Sequence, residues 1–251
     1  MALMNGRVGY VTGASAGIGE AIAKRIAAEG ASVLVTDVDD AGGERVVQEI
    51  KDAGGTALFL HVDVASEDQV KAMIATTVDR FGTLDFAVNN AGLGHLPVPL
   101  HELETERFDT IMSIDARGVF LGLKYAIAYM REHDIAGSIV NTASGVGLKA
   151  SKGLAAYVTA KHAVVGLTRT AAIDYAEHGI RVNAVAPGSV KTPQMLAQGE
   201  ELVAKYEQLM PSKRMARPEE IGAVVAFLLS DEASYISSDV VEVDFAYMQS
   251  G

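Results

Sequence analysis

Short apolar runs alternate with longer segments of helical periodicity along the whole chain. The runs are rich in Val, Leu, Ile and Thr and lie at 8–11, 32–36, 57–61, 84–88, 137–142, 180–186 and 240–243. Runs of this length, bounded by Gly or acidic residues, are typical of buried β-strands. Because helical segments separate them, the pattern predicts an α/β fold: a doubly wound, about seven-stranded parallel sheet with helices on both faces.

Helix signals fall between the predicted strands. Ser66, followed three residues later by Gln69, has the spacing of a capping box, and Pro218 with acidic neighbours is typical of a first helical turn. A further helix is predicted from about 106 to 133. With 251 residues, 49% of them hydrophobic, the chain can bury a large core, and we expect a single domain.

Composition and charge exclude several classes of function. A net charge of −11, with no basic run, argues against a nucleic-acid partner, which needs clustered Lys and Arg. The chain has no Cys and its six His residues lack metal-ligand spacing, so we expect no metal. No apolar run approaches the roughly 20 residues that span a bilayer, and residues 1–7 do not resemble a signal peptide. We therefore expect a cytoplasmic protein without a membrane partner.

Ligands of doubly wound folds bind beyond the carboxyl ends of the strands. The segment 12–19 follows the first strand, opens a helix and contains Gly13, Gly17 and Gly19. Small residues there let backbone N–H groups approach a pyrophosphate, although a tight packing turn is the alternative. Asp37 ends the second strand, where a carboxylate bonds ribose hydroxyls and repels a 2′-phosphate; the alternative is an acid facing water. No Arg or Lys follows it directly, which favours NAD over NADP.

Tyr157 and Lys161 stand four residues apart in a predicted helix and so share one face. A free phenol keeps its proton to a pH of about 10, so a Tyr that transfers protons near neutrality needs a positive neighbour. Lys161 can provide that charge. Because this spacing is frequent on solvated helix faces, the pair alone does not decide between chemistry and chance.

Five motifs occur in order along the chain: the segment 12–19, the run Asn-Asn-Ala-Gly at 89–92, Ser144, Tyr157 with Lys161, and Pro-Gly at 187–188. Together they resemble the short-chain dehydrogenase/reductase family of NAD(P)-dependent oxidoreductases. The resemblance extends over nearly the whole chain. It implies a Rossmann-type fold with one dinucleotide-binding and catalytic domain over 1–251.

The resemblance also implies roles for individual residues. The cofactor would contact Gly13, Ser15, Ile18, Gly19, Asp37, Asp63, Val64, Asn89, Ala91, Gly92, Tyr157, Lys161, Pro187, Gly188, Val190 and Thr192. A hydride would pass between the nicotinamide and a secondary alcohol or ketone. Tyr157 would transfer the proton of the substrate oxygen, Ser144 would hydrogen-bond that oxygen, and Lys161 would hold the nicotinamide ribose and favour the phenolate. The alternatives are an NADPH-dependent biosynthetic ketoreductase, which Asp37 disfavours, and a non-catalytic dinucleotide-binding regulator.

Two positions depart from the family pattern. Asp115 stands where the family has a fourth catalytic residue, an Asn that helps to hold a water behind the active-site Lys. An ionised Asp115 would weaken the positive field of Lys161 at Tyr157, so we expect an active enzyme with a shifted pH optimum. The alternative is that Asp115 only maintains a helix distortion. Near the C-terminus, Phe-Ala at 245–246 replaces a Gly pair. Because Phe disfavours backbone angles that Gly permits, we expect the chain to change course there.

The segment of about 189–217 is expected to form a mobile substrate lid with an apolar inner face, so the substrate should be largely apolar. Positions near strand ends and catalytic residues provide candidate substrate contacts: Leu93, His95, Val146, Leu154 and Met195. His95 is the polar candidate, with a surface His as the alternative. The helices at about 106–133 and 154–178 match those that pair between subunits in the family, which implies a homotetramer.

Overall fold

In the computed structural model, which describes residues 2–249, seven strands form one sheet. They are β1 (Val8–Thr12), β2 (Ser32–Asp37), β3 (Thr56–His61), β4 (Phe86–Asn89), β5 (Ser138–Thr142), β6 (Arg181–Pro187) and β7 (Val240–Val243). Their order across the sheet is β3-β2-β1-β4-β5-β6-β7, and all neighbouring pairs are parallel. The predicted doubly wound, Rossmann-type sheet is confirmed. Each predicted run overlaps an observed strand.

Helices connect the strands. They are α1 (Gly17–Ala28), α2 (Asp40–Asp52), α3 (Glu67–Phe81), α4 (Thr105–Ile111), α5 (Gly118–Glu132), α6 (Ala155–Asp174), α7 (Pro193–Leu196), α8 (Glu200–Leu209) and α9 (Pro218–Leu229). Two predicted helix starts are confirmed: Ser66 Oγ accepts from the Gln69 N–H ahead of α3, and α9 begins at Pro218. The helix predicted from about 106 to 133 differs, because a π-helical turn, Met112–Arg117, separates α4 from α5.

The apolar core is divided by the sheet into two layers. Helices α1, α2 and α9 contribute to one layer, whereas α3, α5 and α6 contribute to the other. Successive residues of β1 show the alternation, since Val11 belongs to the first layer and Tyr10 to the second. Both faces of the sheet are therefore covered, which is why its strands read as continuous apolar runs. Within residues 2–249, no helix is both long and apolar enough to cross a bilayer.

The chain makes an unusual turn directly after Asp244. Phe245 and Ala246 have φ angles of +54° and +64°, in the left-handed region that normally favours Gly. Our expectation that Phe would exclude Gly-like angles is wrong. The Asp244 carboxylate holds the turn, because Oδ1 accepts from the Ala246 N–H at 2.9 Å and Oδ2 accepts from the Met248 N–H at 2.7 Å.

Candidate active site

A cleft of about 570 Å³ lies beyond the carboxyl ends of the central strands. It is lined by fifteen of the sixteen predicted cofactor residues: Gly13, Ser15, Ile18, Gly19, Asp37, Asp63, Val64, Ala91, Gly92, Tyr157, Lys161, Pro187, Gly188, Val190 and Thr192. Ser144 also lines it, as do the substrate candidates Leu93 and Met195. The topology thus brings residues from six strand ends to one place, where a doubly wound fold binds its ligand.

The Gly-rich loop leaves one wall of this cleft without side chains. Gly13 and Gly17 have φ angles of +63° and +60°, which favour Gly. A Cβ on Gly19 would lie 2.0 Å from the Gly13 carbonyl oxygen, so a side chain there would collide with the loop backbone. The loop ends at the N-terminus of α1, whose free N–H groups attract anions. The wall therefore fits the pyrophosphate of a dinucleotide.

Asp37 lines the cleft at the end of β2 and is fixed by backbone donors. Its Oδ2 accepts from the Ser15 N–H at 3.0 Å, and its Oδ1 accepts from the Val38 N–H at 2.7 Å. Arg45 is a nearby cation, since its Nη2 donates to the Ser15 carbonyl oxygen at 2.9 Å. Its guanidinium also pairs with Glu20 at 2.8 Å and with Glu49 at 2.7 Å. Lys24 pairs with the same two carboxylates, so Arg45, Lys24, Glu20 and Glu49 form a cluster of two cations and two anions without net charge.

Ser144, Tyr157 and Lys161 meet at the other end of the cleft. Helix α6 carries Tyr157 and Lys161 on one face, with the Lys161 Nζ 5.5 Å from the centre of the Tyr157 ring. Ser144 lies two residues beyond the end of β5, and its Oγ accepts a hydrogen bond from the Val146 N–H at 3.4 Å. A proton-transfer group, a cation and a hydroxyl therefore share one small volume.

The Lys161 ammonium is buried against Asp115. Lys161 is 3% exposed and Asp115 is 0% exposed, and Nζ lies 3.2 Å from Oδ2. The contact is ionic rather than a well-aligned hydrogen bond, because Oδ2 has no partner of hydrogen-bond geometry within residues 2–249. Burial acts to lower the pKa of Lys161, but the Asp115 charge and Tyr157 outweigh it and raise that pKa above its ordinary value. Lys161 is therefore a cation at neutral pH.

Asp115 is held by the chain segment that lines the cleft in front of it. Its Oδ1 accepts from the Leu93 N–H at 2.7 Å. A Cβ on Gly92 would lie 2.8 Å from Asp115 Oδ2 and 3.2 Å from Lys161 Nζ, so only Gly fits between the cleft and the ion pair. Asp115 itself lies in the π-helical turn Met112–Arg117. Such turns are frequent at functional sites.

A buried polar network links the first loop to Lys161, and its centre is a residue that the sequence analysis did not select. Asn90 Nδ2 donates to the carbonyl oxygens of Thr12 and Gly13 at 3.0 and 3.1 Å. Asn90 Oδ1 accepts from Thr142 Oγ1 at 3.1 Å, and the Thr142 carbonyl oxygen accepts from Lys161 Nζ at 3.0 Å. The position of Asn90, one residue beyond β4, could have indicated this role, because strand alternation points its side chain opposite to that of Asn89.

Besides Asp115, which lies behind Gly92, four predicted site residues do not line the cleft. Asn89 is buried within the sheet, where its Nδ2 donates to Asn141 Oδ1 at 2.8 Å, so it supports strands rather than facing a cofactor. Val146 and Leu154 flank the catalytic segment but are absent from the cleft wall among the described residues. His95 is also outside that wall. Its Nδ1 lies 2.8 Å from the Leu96 carbonyl oxygen, and its buried Nε2 has no partner within residues 2–249.

The predicted lid contains the short helices α7 and α8. Its two ends are joined by a bridge between Val190 and Ala216, in which the Lys191 N–H donates to the Ala216 carbonyl oxygen at 2.9 Å. Met195 and Tyr206 from this segment line the cleft. Two leucines of the segment, Leu196 and Leu209, are exposed and so do not contribute to a buried inner face. That the segment moves as a lid stays a prediction.

Comparison with known proteins identifies relatives along nearly the whole chain. A family model described as "Enoyl-(Acyl carrier protein) reductase" matches residues 13–247. Levodione reductase from Leifsonia aquatica is 41% identical over 95% of this chain and 92% of the relative. A 2,5-dichloro-2,5-cyclohexadiene-1,4-diol dehydrogenase from Sphingobium indicum is 43% identical, over 97% and 98% of the two chains. A cyclohexanol dehydrogenase from Acinetobacter sp. is 40% identical, over 97% and 95%.

Solved structures agree with these relatives. The crystal structure of levodione reductase matches with a TM-score of 0.94 and 39% identity, covering 99% of this chain and 100% of that one. A 3-ketoacyl-(acyl-carrier-protein) reductase from Brucella melitensis, complexed with NADH, matches with a TM-score of 0.91 and 36% identity. It covers 98% of this chain and 99% of that one.

Proposed function

The chain belongs to the short-chain dehydrogenase/reductase family, and on that premise we propose that it transfers a hydride between NAD(H) and a secondary alcohol or ketone. One observation carries the proposal. The cleft that has Asp37 at one end has Ser144, Tyr157 and Lys161 at the other. A dinucleotide bound along this cleft therefore brings its nicotinamide to the proton-transfer group.

The residues of the chain perform the proton chemistry of the proposed reaction. In alcohol oxidation, the Tyr157 phenolate accepts the hydroxyl proton while the substrate carbon loses a hydride; in ketone reduction, the phenol returns that proton. Ser144 Oγ donates a hydrogen bond to the same substrate oxygen and fixes its orientation. The buried Lys161 cation, 5.5 Å from the Tyr157 ring, favours the phenolate. The bound nicotinamide supplies the hydride acceptor or donor.

The residues around Asp37 favour NAD over NADP as the cofactor. The Asp37 carboxylate, held in place by the Ser15 and Val38 N–H groups, can accept from the ribose hydroxyls and repels a 2′-phosphate. Arg45, in α2, is a cation in contact with the Ser15 carbonyl oxygen, and the cluster that it forms with Lys24, Glu20 and Glu49 has no net positive charge to attract a phosphate. The NADH complex of the Brucella melitensis relative is consistent with this preference.

The substrate class we propose is an alicyclic secondary alcohol or its ketone. Two of the relatives are named for reactions of six-membered carbon rings, a cyclohexadiene diol and cyclohexanol. The substrate end of the cleft offers Leu93, Ile114, Met195 and Tyr206, which suit an apolar ring. The cytoplasmic location and the homotetramer expected from the sequence stay predictions.

The test is a spectrophotometric assay of cyclohexanol, cyclohexane-1,4-diol and cyclohexanone with NAD(H) and NADP(H) in parallel. Tyr157→Phe should lower kcat by roughly 10²–10⁴-fold, the usual contribution of a general acid or base, while NAD binding measured by calorimetry is retained. Tyr175→Phe, at the far end of α6, is the matched control and should keep wild-type turnover. Near-normal turnover by Tyr157→Phe would overturn the proposed mechanism. Binding of NAD without turnover of any substrate would favour the regulatory alternative.

A further inference from the structure

The C-terminal turn lies against two loops of the active site. A Cβ placed on Gly145, the residue after Ser144, would lie 2.8 Å from both Cγ and Sδ of Met248. A Cβ placed on Gly188, in the cofactor loop after β6, would lie 2.8 Å from Cβ of Asp244. The turn therefore packs directly on the segment that carries Ser144 and on the segment next to the cofactor.

This contact is maintained against an unfavourable backbone. Phe245 and Ala246 are two successive non-Gly residues in the left-handed region, and each has a conformational cost because its Cβ lies close to the following carbonyl oxygen. Phe245 is 70% exposed, so burial of its ring does not offset that cost. The turn is instead held by the two N–H bonds to Asp244 and by burial of Met248, which is 9% exposed. The left-handed turn brings the Met248 side chain onto Gly145, in the loop after β5.

The loop that carries Ser144 has backbone contacts on one side and Met248 on another. Gly147 packs on helix α6, since a Cβ there would lie 2.8 Å from the Lys161 carbonyl oxygen. Gly145 is buried and packs on Met248. Glycines have no side chain of their own to fix the loop, and their freedom makes its position depend on these neighbours. Shortening Met248 would remove the side-chain contact on Gly145 and leave the backbone contacts of the loop, such as the bond from the Ala143 N–H to the Val185 carbonyl oxygen at 2.8 Å, in place.

We propose that Met248 is a positioning residue that holds Ser144 at the reacting oxygen of the substrate. The inference rests on the proposed function, in which Ser144 donates to that oxygen. A hydrogen bond made in the transition state is sensitive to displacement of the donor, so a small shift of the loop lowers kcat. The Met248 side chain contacts Gly145 rather than Gly188, and its substitution keeps the backbone N–H bond to Asp244, so binding of NAD should not be affected.

The experiment is a double-mutant cycle with Ser144. In the wild-type background, Met248→Ala should lower kcat about tenfold, with KM for NAD unchanged. In a Ser144→Ala background the same substitution should lower kcat less than twofold, because the donor it positions is already absent. Met248→Leu keeps the volume of the side chain and should restore most of the wild-type kcat. Met248→Val, which is shorter, should give an intermediate kcat if Met248→Ala fails to fold.

Met130→Ala is the matched control, because Met130 is also a buried Met packed on a Gly at an end of β5. A Cβ on Gly137 would lie 2.5 Å from Met130 Sδ, but Gly137 precedes β5 whereas Ser144 follows it. This variant should lose thermal stability and keep kcat. Equal losses of kcat from Met248→Ala in both Ser144 backgrounds would overturn the inference. A Ser144→Ala variant with wild-type turnover would instead overturn the proposed function.

Discussion

Replacing Asp115 by Asn should move the pH dependence of alcohol oxidation to lower pH. The carboxylate is fully buried and lies 3.2 Å from Lys161 Nζ, which in turn lies 5.5 Å from the Tyr157 ring centre. A negative charge at this place opposes formation of the Tyr157 phenolate that oxidation requires. Asn keeps the shape of the side chain and removes the charge, so the phenolate forms at a lower pH.

The size of the shift follows from these distances. The carboxylate can be at most about 9 Å from the ring centre, and at an effective dielectric constant of about 20 two unit charges at that separation repel by roughly 2 kcal/mol; a shorter separation gives a larger repulsion. Since one pH unit corresponds to about 1.4 kcal/mol, we expect a shift of about one unit or more.

The assay is the pH profile of kcat/KM for cyclohexanol oxidation at saturating NAD, compared between wild type and Asp115→Asn. Asp109→Asn removes an exposed carboxylate from α4 and serves as the charge-matched control, whose profile should not move. Superimposable profiles for wild type and Asp115→Asn would refute the reasoning and leave Asp115 with a purely structural role in the π-helical turn.

The same substitution has a stability consequence with a definite sign. Because the pKa of Lys161 is raised in the folded protein, the pairing stabilises the fold fully below the ordinary Lys value of 10.5 and is lost as the pH rises through the folded pKa. Removing one partner of a buried pair typically costs roughly 3–5 kcal/mol. Asp115→Asn should therefore lower the free energy of unfolding at pH 7, and the difference from wild type should shrink above pH 10.5. A difference that grows with pH in denaturant titrations would contradict this sign.

Three further substitutions have clear expected outcomes. Asp37→Ala should lower the ratio of kcat/KM with NAD to that with NADP by roughly tenfold or more, a change of about 1.4 kcal/mol in selectivity; an unchanged ratio in parallel assays would reject Asp37 as the selecting residue. Gly92→Ala should lower kcat by roughly tenfold or more, because its Cβ would lie 2.8 Å from Asp115 Oδ2, and a crystal structure would show the ion pair displaced. Phe245→Gly should raise the free energy of unfolding by roughly 1 kcal/mol, since Gly accepts a φ of +54° without strain; lower stability in chemical denaturation would show that the ring contributes to packing.

The fold was predictable because its signals are local. Each strand of a parallel sheet is buried on both faces, so residues 33–35 of β2 and 86–88 of β4 form continuous apolar runs. Helix starts such as that of α3 depend on a few neighbouring residues. The left-handed backbone at 245–246 was not predictable, because it opposes local preference and depends on the Asp244 carboxylate and on the burial of Met248.

For the candidate site, sequence reasoning located the loops better than the side chains. Strand ends fix where a loop lies, and that placed Ser15 and Asp37 on one cleft. Whether a side chain faces the cleft or the interior depends on one step of strand register, which is why Asn89 was selected and Asn90 was not. Asp115 and Lys161 lie in helical segments that are far apart in the sequence, so the apolar periodicity of either segment does not predict that the two side chains are in contact.

The placement of Asp37 also bears on how this enzyme could diverge. Within residues 2–249 the hydrogen-bond partners of its carboxylate are the backbone N–H groups of Ser15, Val38 and Asp39, which any side chains there would still provide. Asn90, by contrast, is bonded at once to the first loop and to Thr142 beside Lys161. On the proposed function, a substitution at Asp37 alone can therefore change coenzyme preference, whereas a substitution at Asn90 disturbs the first loop and the surroundings of Lys161 together.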